Sequence, residues 1–426
     1  MHEPRSTTRR AFVAETTAAM AAAATLGFLP NAHAAGGDTL KVGLIGCGGR
    51  GTGAAEQALT ADPNVKLHAM GDAFADAIES SLSTLKGSSV AERLDVPKER
   101  QFVGFDAYKN VIDECDVVLL TTPPGFRPIH LGYAVEKGKH AFVEKPVATD
   151  APGVREVLRL AEEAKTKNLS IVSGLCWRYH APRRETMKRA LDGGIGDIVA
   201  IETTYDSNGV WDPRRTRDQV GSDMEYQMRN WYYYDWLSGD HIVEQAVHGI
   251  DTMAWAMGDK PPERCFASGG RQVRTEPGYG NIYDHFSVVY EYPNNVRGYH
   301  NCRHWKGCDQ QVKDYLLGSK GTCDVFGSKI TGENAWRYRG PAANMYQAEH
   351  DEMYAGIRSG NPINNVNTAA TSTLLAIMGR MAAYTGQFIT WDMALNSQES
   401  LVPTSFAWSD DVPRRPVPRP GETKYV

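Results

Sequence analysis

Several things are scarce in this sequence, and each scarcity removes a class of function. No charge of one sign dominates: 46 Lys and Arg face 51 Asp and Glu, a formal net charge of -5 over 426 residues. That balance argues against nucleic-acid binding and against attachment to an anionic membrane surface, both of which need a basic surplus. Paired cysteines are also missing. The 7 cysteines, Cys47, Cys115, Cys176, Cys265, Cys302, Cys308 and Cys323, are scattered and form no CxxC pair, so neither a zinc ribbon nor a dithiol redox centre is indicated. Free, mostly buried thiols are expected. There is no HExxH pattern either, and beyond residue 34 no apolar run nears the ~18 residues that a membrane-spanning helix needs. What remains is the composition of an ordinary soluble enzyme with a small, neutral or polar ligand. Its length exceeds what one core usually organises, so two domains are expected.

The first residues read as a leader. Thr8-Arg9-Arg10-Ala11-Phe12 is a twin-arginine pattern, followed by an Ala-rich, weakly apolar run and the small-residue site Ala32-His33-Ala34. Export by the twin-arginine machinery, cleavage after Ala34 and a periplasmic location are the expectations. That route carries folded proteins, so thiols can be buried before they meet an oxidising compartment.

Residues 40–45 form a β-branched run, then come Gly46-Cys47-Gly48-Gly49-Arg50-Gly51 and a helical stretch over 52–61. This is GxGxxG between a strand and a helix. Gly46 allows the tight turn, Gly48 lets the backbone approach a pyrophosphate, and Gly51 lets the helix pack on the strand, while phosphate sits at the helix N-terminus with Gly49 and Arg50 beside it. A second strand over 66–70 leads to Asp72, about 20 residues beyond the turn, where a carboxylate accepts ribose hydroxyls and repels a 2′-phosphate. No Arg or Lys follows in residues 73–77, so NAD is expected rather than NADP. Strands and helices then alternate through residue 173, which predicts a parallel, doubly wound α/β sheet, with Thr122 and Pro123 at a ligand-binding strand end. A dinucleotide is normally loaded in the cytoplasm, so folded export and a retained, non-dissociating cofactor support one another.

Glu144-Lys145-Pro146 stands at the carboxyl end of the fifth strand, facing the cofactor. The Lys145 ammonium there can donate to a reacting alcohol oxygen, although a lone lysine before a turn proline is more often a surface residue. Glu244 and His248 are four apart, on one helical face. An imidazole can take a hydroxyl proton while a neighbouring carboxylate orients it; a structural ion pair is the equally weighted alternative. His241 shares that face, but no metal is expected, because the dinucleotide already supplies an electron acceptor.

Together the glycine turn, Gly138-Lys139-His140 through Glu144-Lys145-Pro146, and His248-Gly249-Ile250-Asp251 resemble the Gfo/Idh/MocA oxidoreductases, with Gly194-Ile195-Gly196-Asp197-Ile198 similar to the entry into that family's second domain. The resemblance covers most of the chain beyond the leader. It implies Lys145 and His248 as the catalytic lysine and histidine, with Glu244 where many members carry aspartate, and Arg127 where many carry histidine. It also implies a C-terminal α+β domain with a large, mostly antiparallel open sheet whose free face forms a homodimer or homotetramer. The expected division is a leader over 1–34, an NAD-binding Rossmann domain over 35–175, a substrate-binding and oligomerisation domain over 176–400, and an extended tail over 401–426. Arg178, Tyr179, Trp231 and Arg303 are the expected substrate contacts, and no basic cluster marks a phosphorylated substrate. The expected reaction is hydride transfer between nicotinamide and a sugar, glycoside or polyol hydroxyl carbon; the alternative is an exported NAD-dependent glycoside hydrolase that oxidises its substrate transiently.

Overall fold

The computed structural model describes residues 38–410, 412 and 415–426, so the expected leader lies outside the described residues. The first domain is built on β1 (Leu40–Ile45), β2 (Val65–Asp72), β3 (Gln101–Val103), β4 (Val117–Leu120), β5 (His140–Val143) and β6 (Ile171–Ser173). Helices α1 (Gly49–Ala61), α2 (Ala75–Lys86), α3 (Ala107–Glu114), α4 (Arg127–Glu136) and α5 (Ala151–Thr166) connect them. The strand order is β3-β2-β1-β4-β5-β6 with every pairing parallel. Val117, Val118, Leu119 and Leu120 are all fully buried, as a strand covered by helices on both sides must be. The order reverses between β1 and β4, which opens the crevice in which doubly wound sheets bind ligands.

The second domain holds helix α6 (Ala181–Arg189) and β7 (Ile198–Ser207), then α7 (Asp223–Arg229), α8 (Asp235–Ser238), α9 (His241–Glu244) and α10 (Val247–Ala256). Strands β8 (Arg264–Gly270), β9 (His285–Glu291), β10 (Arg297–His304), β11 (Gln311–Gly318), β12 (Gly321–Asp324), β13 (Lys329–Gly332) and β14 (Trp336–Arg337) follow, and β15 (Ile389–Thr390) completes the sheet. It is a 9-stranded sheet of order β14-β13-β12-β11-β7-β10-β9-β8-β15, antiparallel except at β7–β10. One face carries α10. On the other, Phe266, Tyr299 and Leu317 are exposed.

The chain then returns to the first domain, which the expected division at 175 and 400 does not describe. Helix α11 (Met345–Ser359) lies on α1, and its Met353, Tyr354 and Ile357 belong to the same apolar cluster as Leu40, Val42 and Leu59. Asn364 makes a parallel bridge to Ile171 of β6. Helix α12 (Val366–Thr385) packs on both α5 and β8, tying the two domains together. The expected tail is extended but docked: Leu401 N donates to Asp150 Oδ2 at 2.8 Å, Tyr283 Oη donates to Pro418 O at 2.9 Å, and Trp408 lies 5.2 Å from the Phe74 ring and 4.5 Å from Phe105. Of the cysteines, Cys308 alone is exposed, and all are unpaired.

Burial has a measurable consequence. It holds His130, His300 and His350 neutral down to about 3 and His140 down to about 4. An unfolded chain protonates these rings near pH 6.5. Stability is therefore complete above about 6.5 and is lost as the pH falls from there toward 4, at about 1.4 kcal/mol per pH unit for each such ring. Asp314, pushed up to about 7 by burial, keeps its proton in the folded state and offsets part of this loss. Urea midpoints measured from pH 7.5 to 5 should fall steeply; a flat profile would mean that these imidazoles protonate inside the fold.

Candidate active site

A cleft of about 750 Å³ runs along the carboxyl ends of β1, β2, β4 and β5 and is closed on its far side by residues of the second domain. Its floor is the glycine turn. A Cβ at Gly51 would lie 2.0 Å from the Gly46 carbonyl oxygen, and one at Gly46 would lie 2.6 Å from Thr122 N, so helix and turn approach as closely as glycine allows. Gly46 also has φ +95, a backbone that side chains avoid. At Gly48 and Gly49 nothing lies within 4 Å of an added Cβ, because these positions open to the cleft. The N-terminus of α1 has no side-chain cap, which leaves its first N–H groups available to an anion.

Asp72 ends β2 on the cleft wall. Its Oδ2 accepts from Cys47 N at 2.7 Å and its Oδ1 from Phe74 N at 3.0 Å, which fixes the carboxylate against the turn with lone pairs remaining. Burial raises its affinity for a proton and those two N–H groups oppose that rise. Beside it, Asp76 receives Arg229 of α7 through both oxygens at 3.0 and 2.7 Å, and the same guanidinium covers the Phe74 ring at 3.6 Å. The turn, its free helix end and an anchored acid are the parts that a dinucleotide's pyrophosphate and ribose require, and Thr122 and Pro123 line the same cleft.

Arg50 crosses from the turn to the loop after β5, where its Nε lies 2.7 Å from Glu144 Oε1. Glu144 also accepts from Lys145 N at 3.0 Å. Arg127 ties that loop to the one after β4, donating to Pro146 O and Thr122 O at 2.7 Å each. Its function is thus to hold two loops in register. Lys145 Nζ reaches across the cleft to the second domain, 2.5 Å from Glu244 O and 3.2 Å from Glu244 Oε1.

Glu244 and His248 both line the cleft, but they do not share one continuous helix. Residue Gln245 interrupts it between α9 and α10, with φ -113 and ψ -47. The carboxylate of Glu244 consequently turns to Lys145, and the expected Glu244–His248 pair is replaced by a different support. The His248 ring stacks on Trp177 at 4.9 Å and 20°. Arg183 lies over the same indole at 4.1 Å and over Phe326 at 4.2 Å. Burial, with the Lys145 and Arg183 cations, holds His248 well below the ordinary imidazole range, so it stands neutral and able to accept a proton. His241 does not line the cleft; its Nδ1 lies 3.0 Å from Asp240 Oδ1 within the core.

Of the expected substrate contacts, Trp231 lines the cleft and the others do not. Arg178 is committed to Asp251, with Nε 3.0 and 2.9 Å from its two oxygens, and to Asp259 at 2.6 Å. Tyr179 is buried beneath Arg184 and accepts from Asn365 Nδ2 at 2.8 Å. Arg303 faces Asp206 at 3.4 Å. Both arginines are claimed by acids close in space and distant in sequence, and Tyr179 by an amide and a guanidinium. Conversely, Trp211, Arg214 and Arg215 line the cleft without having been expected, although the adjacent arginines were visible as a dipeptide.

Residues 40–172 match the family model described as "Oxidoreductase family, NAD-binding Rossmann fold", and residues 185–324 match the "GFO/IDH/MocA C-terminal domain". Together the two models cover more than half of the chain. The chain belongs to the Gfo/Idh/MocA family. This member is 24% identical over 326 residues to inositol 2-dehydrogenase of Rhizobium meliloti strain 1021, spanning 74% of this chain and 86% of the relative. It is 26% identical over 192 residues to a glycosyl hydrolase family 109 protein of Shewanella pealeana, a match spanning 44% of this chain and only 40% of the relative. The crystal structure of aldose-aldose oxidoreductase from Caulobacter crescentus superimposes with a TM-score of 0.64 at 16% identity, covering 83% of this chain and 99% of the other. At that identity the likeness is one of fold.

Removing the cation behind the Trp177 ring should move the His248 titration toward its ordinary value. The acid limb of kcat/KM should therefore shift to higher pH in Arg183→Met and return in Arg183→Lys. An unmoved limb with unchanged folding would disconnect Arg183 from the imidazole. A carboxylate that reads the ribose would make Asp72→Ala change the discrimination between NAD and NADP; unaltered discrimination in a two-cofactor binding assay would remove Asp72 from ribose recognition.

Proposed function

We propose that this family member is an NAD-dependent oxidoreductase that moves hydride between a tightly held nicotinamide and the hydroxyl-bearing carbon of a sugar, glycoside or polyol. The observation that carries this reading is the meeting of Lys145 and His248 in the same cleft as the glycine turn and Asp72. When bound, the nicotinamide supplies the electron acceptor. Lys145 donates a hydrogen bond to the substrate oxygen and stabilises its alkoxide character, with Glu244 holding the ammonium in place. His248, neutral and stacked on Trp177, takes the hydroxyl proton. NAD rather than NADP is favoured by the Asp72 carboxylate and by the pairing of Arg229 with Asp76, which leaves that cation occupied. Retention of the cofactor is supported by Trp408, which packs on the cleft-lining rings of Phe74 and Phe105 and fixes them in place.

A second reading, transient oxidation followed by elimination and re-reduction, draws on the family 109 glycosyl hydrolases among the relatives, one of them 29% identical over 78% of this chain. The same residues would serve it, without net redox. The twin-arginine pattern supports export to the periplasm, and the exposed apolar residues Phe266, Tyr299 and Leu317 on the open sheet face support a homodimer or homotetramer.

The test is to purify the protein, release and identify its nucleotide, and incubate it with sugars, inositols and aryl glycosides. Accumulated reduced nicotinamide without glycoside cleavage is the expected outcome; cleavage without reduced nicotinamide selects the second reading. His248→Ala should lower either turnover by about 10² to 10⁴ while the nucleotide stays bound. Unchanged turnover would exclude His248 as the base.

A further inference from the structure

The cleft wall formed by residues 208–222 is left with a surplus of positive charge once its ion pairs are assigned. Asp212 is taken by Lys306 Nζ at 2.5 Å and by Tyr279 Oη at 3.0 Å. Asp223 is paired with Arg217, and Asp76 with Arg229. Across the cleft, Glu144 faces Arg50 and Glu244 faces Lys145. Arg214, Arg215 and the exposed Asp218 remain; of these only the two arginines line the cleft, and among the described residues no carboxylate forms an ion pair with either.

Both residues are exposed, and the backbone that carries them is held in position. Asn230, fully buried, accepts from Arg214 N at 2.6 Å and Arg215 N at 3.2 Å, and donates to Arg215 O at 2.9 Å. The Arg214 guanidinium lies on the Trp211 ring at 3.9 Å, while Arg215 Nη1 reaches the Arg214 carbonyl at 3.0 Å. Burial and the charge of Arg215 both lower the basicity of Arg214. Two adjacent cations on one anchored turn repel each other, a repulsion that solvent screens in part and an anion would relieve, and guanidinium pairs suit carboxylate and phosphate oxygens.

The location favours the substrate over the cofactor as the source of that anion. A diphosphate already has a seat at the N-terminus of α1, on the first domain. The arginines instead share their wall with Trp211 and Trp231, whose rings lie 6.2 Å apart. Trp211 in turn lies 6.2 Å from Tyr232, whose Oη donates to Gln245 Oε1 at 3.1 Å, beside Glu244. This wall therefore leads directly to the Lys145–His248 pair.

Resting on the oxidoreductase reading above, we infer that Arg214 and Arg215 form an anion-binding subsite and that the substrate is an acidic sugar, carrying a carboxylate or a phosphate. The indole faces of Trp211 and Trp231 contact its ring, and the guanidinium pair fixes which hydroxyl meets Lys145. A sugar that is neutral lacks the group this wall is built to hold.

Nucleotide content is measured first, since a protein that holds no nucleotide and takes none up refutes the oxidoreductase reading itself. The nucleotide-loaded protein is then titrated calorimetrically with glucuronate, gluconate and glucose 6-phosphate, and with glucose and myo-inositol. At least one acidic probe should bind about tenfold or more tightly than the neutral ones, and added salt should weaken it. The double substitution R214Q/R215Q should abolish that difference, and R214K/R215K should restore part of it. Neutral probes that bind as well as the acids, or acids that do not bind at all, would overturn the inference while leaving the oxidoreductase reading intact. Loss of nucleotide from R214Q/R215Q with acid affinity unchanged would also overturn it, by assigning the pair to the cofactor's diphosphate.

Discussion

The bond between Lys145 and Glu244 joins the two halves of the molecule at the point where chemistry is expected. One partner stands at the tip of a parallel strand and the other where a helix breaks, 99 residues later. Both are mostly shielded, with 15% of each side chain exposed, so the ammonium has little water to replace its partner if the two domains shift. Breaking such a pair costs more than making it gains, because each charge would be left in a poorly solvated cleft. Charges alternate around it: Arg50 holds Glu144, Arg127 holds the loops on which Thr122 and Pro146 sit, and Glu244 holds Lys145. The cleft is thus an electrostatic assembly before any ligand enters.

The first domain was largely legible because its signals are local. A strand, a glycine turn and a helix lie within about two dozen residues, and each glycine performs a task that a Cβ would prevent. The second sheet was legible as large and mostly antiparallel, but its parallel β7–β10 pairing was not, since those two strands are separated by nearly a hundred residues. The return of α11 to the first domain was hidden for a related reason. Its apolar face shows that Met353, Tyr354 and Ile357 are buried, but not which core receives them.

Among the site residues, those defined by a motif landed in the cleft, as did Thr122, Pro123 and Trp231, whereas Arg178, Tyr179 and Arg303 did not. Arg178 follows β6 and Arg303 lies near the end of β10, yet a guanidinium goes where an acid waits, and Asp251, Asp259 and Asp206 are brought there by the tertiary fold. His248 illustrates the converse. Its partner was sought four residues away along a helix, whereas the break at Gln245 leaves an indole from position 177 to set the ring plane. Helical periodicity cannot report a break of this kind, because both segments remain helical on either side of it.

The docking of residues 401–410 has an implication for biogenesis. The ring of Trp408 packs on Phe74, and Phe406 adds a stacked contact to Phe105 at 5.9 Å. A nascent polypeptide would display the glycine turn early, whereas the rings that pack on Phe74 and Phe105 would not be in place until position 408 had cleared the ribosomal tunnel. A chain that stops short of this arm would therefore keep its Rossmann sheet yet lack the aromatic packing that fixes Phe74 and Phe105.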